Sequence, residues 1–178
     1  MGYPFNKLPY GKANEYVTTV VEISRGSMLK VEWRRKEGFF ALDRVEPAIF
    51  GKPCNYGFIP QTLDEDGDEL DVLLVTHEPI PMGVVIEETR VIGVMSFEDD
   101  GEMDHKVICV PSDDRNWGKI ENYTELGEQW QRQLEHHFTH YKDLKKPGST
   151  KVLGFSGPAE AWKIIDECVE RASQNKWW

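Results

Sequence analysis

Over the first 110 residues, apolar and polar positions exchange within short stretches, the spacing of strands rather than helices. Val17-Thr18-Thr19-Val20-Val21-Glu22-Ile23 is dominated by β-branched residues, which favour extended chain. After the turn Ser24-Arg25-Gly26-Ser27, the stretch Met28-Leu29-Lys30-Val31-Glu32-Trp33-Arg34 alternates strictly. Leu29, Val31 and Trp33 are expected on one face, with Lys30, Glu32 and Arg34 on the other. Further strands are expected at 39–42, 72–75, 84–87, 91–95 and 107–110, punctuated by Gly and Pro in the manner of a small barrel or sandwich. The period then changes. Leu126, Trp130, Leu134, Phe138 and Tyr141 fall in steps of four, four, four and three, one face of a helix over 125–141. Gly157-Pro158-Ala159-Glu160 puts Pro at a first helical position, and Trp162, Ile165, Val169 and Ala172 continue a second stripe. The expected fold is α+β and mainly β: a barrel flanked by two main α-helices, forming one domain over 1–178. No internal repeat or linker is visible.

Composition narrows the function classes. The 178 residues are only 39% apolar, but six Trp, eight Phe and six Tyr supply bulky core material and argue against disorder. Twenty-one Lys and Arg against 31 Asp and Glu give a net charge of −10. Such a surface repels nucleic-acid phosphates and anionic lipid, so neither nucleic acid nor membrane is expected as a partner. Cys54, Cys109 and Cys168 are scattered, form no CxxC pair and suit a reducing compartment. The first residues show no basic segment leading into an apolar run, and no apolar stretch reaches membrane-spanning length. A cytoplasmic location is expected.

The most informative stretch is Asp64-Glu65-Asp66-Gly67-Asp68-Glu69-Leu70-Asp71, running directly into Val72-Leu73-Leu74-Val75. Alone it reads as a solvated acidic turn. Asp71 abuts an apolar strand, however, and Asp66, Asp68 and Asp71 would repel one another if crowded there, a conflict that hard divalent cations with oxygen ligands resolve. A calcium loop begun at Asp64 fails, since Glu69 stands where Gly is needed at the sixth position and Val75 where a bidentate Glu is needed at the twelfth. A second cluster, Asp99-Asp100-Gly101-Glu102-Met103-Asp104, precedes another strand; alone it is a hairpin turn, and beside the first it is a candidate second wall of a multi-metal site. No Walker or Rossmann glycine loop is present, so phosphate binding would rely on side chains such as Lys30, Arg44 and Lys142, together with metals.

These residues together resemble the family I soluble inorganic pyrophosphatases of the prokaryotic type. Asp66-Gly67-Asp68-Glu69-Leu70-Asp71-Val72 is similar to that family's D-x-D-x-x-D signature, Pro53-Cys54-Asn55-Tyr56-Gly57 to its P-x-N-Y-G element, and Asp99 with Asp104-His105-Lys106 to its second metal-binding loop. His140-Tyr141-Lys142-Asp143-Leu144 is similar to its H-Y-K-D-L helix end, and Glu22, Lys30, Glu32 and Arg44 fall in the expected order. The resemblance spans about residues 15 to 172. It implies a five-stranded OB-like barrel, Mg²⁺ held by Asp66, Asp71, Asp99 and Asp104 with help from Glu32, and Asp68 as the base that deprotonates the attacking water. It implies phosphate binding by Lys30, Arg44, Tyr56, Lys106, Tyr141 and Lys142, with Glu22 supporting the metal ligands from behind. It also implies a homohexamer with pyrophosphate as substrate. On that basis His136 and His140, one helical turn apart, are expected at a subunit contact.

Three departures stand out. Glu69 replaces a more common Pro and is expected to add negative charge beside the metals. Lys52 replaces an aromatic residue, next to an inserted Gly51. Trp177-Trp178 has no counterpart in the family.

The implied site has seven carboxylates (Glu22, Glu32, Asp66, Asp68, Asp71, Asp99, Asp104) and four cations (Lys30, Arg44, Lys106, Lys142). With a substrate of roughly −4, neutrality needs about three or four divalent ions. Two other readings fit the same acidic wall: a Mg²⁺-dependent nucleotide phosphohydrolase, with Tyr56 or Trp117 stacking a base, and a non-enzymatic OB-like binding module.

Overall fold

The computed structural model describes residues 4–175; the terminal pair Trp177 and Trp178 lies outside them. Ten strands form among the described residues: β1 (Gly11–Lys12), β2 (Tyr16–Ile23), β3 (Leu29–Arg34), β4 (Phe39–Val45), β5 (Asn55–Phe58), β6 (Asp71–Leu74), β7 (Val85–Asp99), β8 (Glu102–Met103), β9 (Lys106–Pro111) and β10 (Thr150–Ser156). Two helices follow the same order, α1 (Glu128–His140) and α2 (Pro158–Asn175). β2 pairs with β5, β5 with β6, β6 with β9, β9 with β7, and β7 returns to β2, closing a five-stranded ring. This is the expected OB-like barrel. β10 extends it along β7, and the β3–β4 hairpin stands apart as a two-stranded sheet.

Alternation along the strands sorts the core into two faces. Val72 and Leu74 of β6, with Val107 and Cys109 of β9, pack with Ala161, Ile165 and Cys168 of α2. Leu73 and Ile108, one residue out of step, pack with Tyr56, Phe97 and the α1 residues Leu134 and Phe138. The α2 stripe that is buried is therefore Ala161, Ile165, Cys168 and Ala172, while Trp162 and Val169 only flank it. Small residues at 161, 168 and 172 let the helix lie close on the barrel, which the bulkier set read from sequence would prevent.

Several boundaries differ from the sequence reading, each for a local reason. The segments 84–87 and 91–95 are one long strand, β7, which pairs first with β2 and then with β9 and carries a register shift between Val91 and Gly93. α1 begins at Glu128 because Gly127, at φ 88°, interrupts the chain after a 3-10 turn over Tyr123–Leu126. That turn is closed by a capping box between Asn122 and Glu125, so Leu126 belongs to it and not to α1. Leu29 is exposed where its alternation predicts burial, because the register of β3 against β4 shifts between Lys30 and Val31. β5 and β10 carry too little apolar alternation to be read as strands. In β5, Gly57 is required: a Cβ there would sit 2.0 Å from the Val20 carbonyl oxygen of the neighbouring strand.

Candidate active site

The strand registers bring the acidic loops together. β6 and β9 run parallel with Asp71 opposite Lys106, so the first residues of two inward rows, 71/73 and 106/108, meet at the barrel mouth. β3 and β4 place Lys30 opposite Arg44. All thirteen residues named for the site line one cleft of about 230 Å³ at this mouth. Phe58, Trp33, Phe138, Glu69 and Lys52 complete its walls.

The polar groups are paired in a definite order. Lys106, only 2% exposed, donates to Asp71 Oδ2 at 2.8 Å, to both Asp104 oxygens at 2.8 and 2.9 Å, and to the Tyr56 hydroxyl at 2.9 Å. Burial alone would lower the Lys106 pKa, but Asp104 and Asp71 outweigh it and hold the ammonium above its ordinary range. The Tyr56 hydroxyl also donates to Asp71. Its own pKa lies well above the usual phenol range, through burial and then the charge of Asp71, so it acts as a donor. Across the cleft Lys142 grips the two oxygens of Asp99, and the Tyr141 hydroxyl reaches Asp99 at 3.4 Å. Lys30 lies 3.7 Å from Glu32, and Arg44 is held by Asp43 at 2.6 Å and Glu46 at 2.5 Å. Glu22 is buried behind this layer, its Oε1 accepting from the Trp33 backbone N–H at 2.7 Å. Its pKa is pushed up to about 8, by burial first and then by Asp71.

Asp66 and Asp68 sit on the exposed tip of the 64–69 loop. Asp66 Oδ1 accepts from the Asp68 N–H at 3.0 Å, shaping the loop, and its pKa rises to about 7 through desolvation followed by the nearby Asp104 and Asp71. Asp68 is also raised, by desolvation first, and no described side chain bonds its carboxylate. Among the described residues no three acidic, His or Cys side chains are drawn into a closed chelate; Lys106 and Lys142 stand between the carboxylates. The donors are nonetheless all carboxylate oxygens, the set that hard divalent ions take.

Three functional features escaped sequence reasoning. Glu69 does not add uncompensated charge, because Arg35 pairs with it at 3.0 Å and also donates to the Gly67 carbonyl at 3.1 Å, tying the acidic loop to the end of β3. Asp64 links the two acidic loops: its Oδ2 accepts from the His105 N–H at 3.0 Å and its own N–H donates to the Asp68 carbonyl at 2.8 Å. Lys52 turns into the cleft. Only its position just before the P-x-N-Y-G-like element hinted at this.

A barrel mouth with eight carboxylates and five cations facing one small cleft suits a hydrolase acting on a compact, highly charged phosphate anion. The sequence profile described as "Inorganic pyrophosphatase" matches residues 19–173. The chain belongs to that family, whose members hydrolyse inorganic pyrophosphate to phosphate. It is 60% identical over 156 residues to the inorganic pyrophosphatase of Neisseria meningitidis serogroup B, covering 87% of this chain and 88% of that one. Its fold is similar to the crystal structure of an inorganic pyrophosphatase from Neisseria gonorrhoeae, with a TM-score of 0.92, 56% identity and coverage of 95% and 99%. The Thermus thermophilus inorganic pyrophosphatase structure gives a TM-score of 0.86 at 38% identity, covering 93% of this chain and 97% of that one.

Proposed function

We propose that this chain, acting as one domain, hydrolyses inorganic pyrophosphate at the barrel-mouth cleft with Mg²⁺, and that the cleft residues divide into base, metal ligands and phosphate binders. The observation that carries this reading is the convergence of all thirteen residues on one cleft. Asp66, Asp71, Asp99 and Asp104, with Glu32, would hold the divalent ions; desolvation first, and then the charges of Asp104 and Asp71, bring Asp66 to about 7, and the repulsion among these carboxylates is what such ions relieve. When bound, the ions supply positive charge against the phosphates and lower the pKa of water.

The chain's own part follows from its pairings. Lys30, Arg44, Lys106 and Lys142 take phosphate oxygens from fixed positions, and Tyr56 and Tyr141 donate hydroxyl hydrogens. Asp68, whose carboxylate no described side chain bonds, accepts the proton of the attacking water, a role generally worth about 10² to 10⁴ in rate. The water oxygen bonds to one phosphorus, the bridging P–O bond breaks, and the leaving phosphate takes up negative charge that Lys142 and Arg44 stabilise. Neither aromatic considered for base stacking favours a nucleotide. Tyr56 is buried with Lys52, Lys30 and Lys106 close to its ring, while Trp117 packs edge-on against His77 and does not line the cleft.

The direct test is phosphate release. Chelator-stripped protein is expected to be inactive, and added Mg²⁺ should restore hydrolysis of pyrophosphate far above that of nucleoside triphosphates. Full activity after stripping would reject the metal assignment.

Assembly as a homohexamer belongs to the same reading. Its support is a groove lined by Ile49, 77% exposed, with Phe50, Pro53 and the α1 residues Gln133 and His136, on the same helix as His140. His136 and His140 lie with ring centroids 4.6 Å apart. Light scattering should give one hexameric species at neutral pH. A monomer at neutral pH would end this proposal. No described helix is long and apolar enough to cross a membrane, and a cytoplasmic location remains part of the proposal.

A further inference from the structure

Five cations line the cleft, and four of them already have carboxylate partners. Lys106 has Asp71 and Asp104, Lys142 has Asp99, Lys30 lies near Glu32, and Arg44 lies between Asp43 and Glu46. Lys52 differs. Its side chain is buried, at 7% exposure, yet among the described residues no carboxylate lies within ion-pair distance of its Nζ and no oxygen accepts a hydrogen bond from it. The ammonium lies over aromatic rings instead, 5.1 Å from the Tyr56 centroid, 5.2 Å from Tyr141 and 5.9 Å from Phe138. A buried ammonium without a counter-ion is unfavourable, and more so with Lys30 and Lys106 as neighbours. Burial first, and then those two lysines, bring its pKa down to about 7.

The backbone holds Lys52 in this position. Its N–H donates to the Ser27 carbonyl at 3.1 Å and its carbonyl accepts from the Gly26 N–H at 2.8 Å. The preceding Gly51 permits the approach, since a Cβ there would lie 2.9 Å from the Gly26 carbonyl oxygen. Gly51 and Lys52 therefore work together to hold a cation at the cleft wall.

We propose that Lys52 is a phosphate-binding residue of this cleft, its ammonium being the protein's unneutralised counter-ion for an oxygen of pyrophosphate or of product phosphate. This deepens the pyrophosphate reading and rests on it. A phosphate oxygen gives Lys52 the partner that the fold withholds and relieves the repulsion among three neighbouring lysines. The other cations must share their charge between substrate and an existing carboxylate. Charge-assisted bonds of this kind are the strong ones.

The test compares wild type with Lys52→Met, which keeps the stem over the rings, Lys52→Gln, and Lys52→Arg, which keeps the charge. Steady-state hydrolysis gives KM and kcat, calorimetry gives the affinity for inorganic phosphate, and thermal melting reports the fold. The two neutral variants are expected to raise KM and weaken phosphate binding about tenfold or more, with Lys52→Arg recovering most of the loss. They should melt no lower than wild type, because they remove a buried amine that has no hydrogen-bond acceptor among the described residues. Neutral variants with wild-type KM and phosphate affinity would overturn the assignment while leaving the pyrophosphate reading intact, provided the wild type is active. A loss of affinity that tracks a fall in melting temperature and is not recovered by Lys52→Arg would also overturn it, making Lys52 a packing residue. Wild-type protein that fails to hydrolyse pyrophosphate would instead defeat the reading on which the assignment rests.

Discussion

Asp68→Asn is expected to lower pyrophosphate turnover by about 10² or more while leaving Mg²⁺ affinity nearly unchanged. The amide keeps the size of the side chain and removes the oxygen that takes the proton. The surroundings of Asp68 support this separation: it sits on the exposed loop tip, and its carboxylate is held by no described side chain. Asp71→Asn should behave differently. Asp71 opens β6 and already accepts from Tyr56 and Lys106, so it is a fixed carboxylate and a poor candidate for a mobile base. Its replacement should weaken Mg²⁺ binding, with activity falling and part of it returning at high Mg²⁺. Mg²⁺ titrations of both variants, with folding checked by circular dichroism, make the comparison. If both lose metal equally and both recover at high Mg²⁺, Asp68 is a ligand and the base lies elsewhere.

What could be read in the chain was what is local. The D-x-D-x-x-D-like run is legible because its three aspartates lie within six residues, two on a loop and the third opening β6, and β2 because β-branched residues dominate it. The pairing of Asp71 with Lys106 is not local: it depends on the parallel register of β6 and β9. β7 reads as two segments because Glu87 and Glu88 are exposed, at the irregularity in its pairing with β2, so its apolar pattern breaks although the strand runs on to pair with β9. β10 was missed because Gly154, at φ 145°, sits at its register shift. Lys52 shows the limit most clearly. A lysine next to a glycine reads as surface, and only the contact of that loop with the Gly26 turn directs it inward. The partner of Glu69 is hidden for the same reason, since Arg35 lies 34 positions away.

Lys106→Met should cost more stability than any other single change in the cleft. The methionine can occupy the buried space among Tyr56, Phe97 and Phe138, whose ring centroids lie 5.3, 5.0 and 5.7 Å from the ammonium, so packing is largely kept and the change is mainly one of charge. Asp71 and Asp104 then lose the cation that separates them, and the Tyr56 hydroxyl loses a partner. Removing one member of a buried ion pair generally costs about 3–5 kcal/mol, because the opposite charge stays behind. For a chain of this size each kcal/mol is worth about 2–4 °C in melting temperature, so a fall of about 6–20 °C is expected at pH 8 in the presence of chelator. The sign of the pH dependence follows from the stranded carboxylates. Asp104 is already raised to about 6, by burial first, and loses in Lys106 the cation that holds it down; the folded variant therefore binds its proton more readily than the unfolded chain, so stability falls as pH rises, and the deficit against wild type should shrink toward pH 4. Mg²⁺ should restore part of the loss at pH 8 by replacing the missing positive charge. Melting curves of both proteins at pH 4 and pH 8, with chelator and with Mg²⁺, test each arm. Equal melting temperatures at pH 8 under chelator would mean that Asp71 and Asp104 do not depend on Lys106, and the order of pairing at the barrel mouth would have to be redrawn.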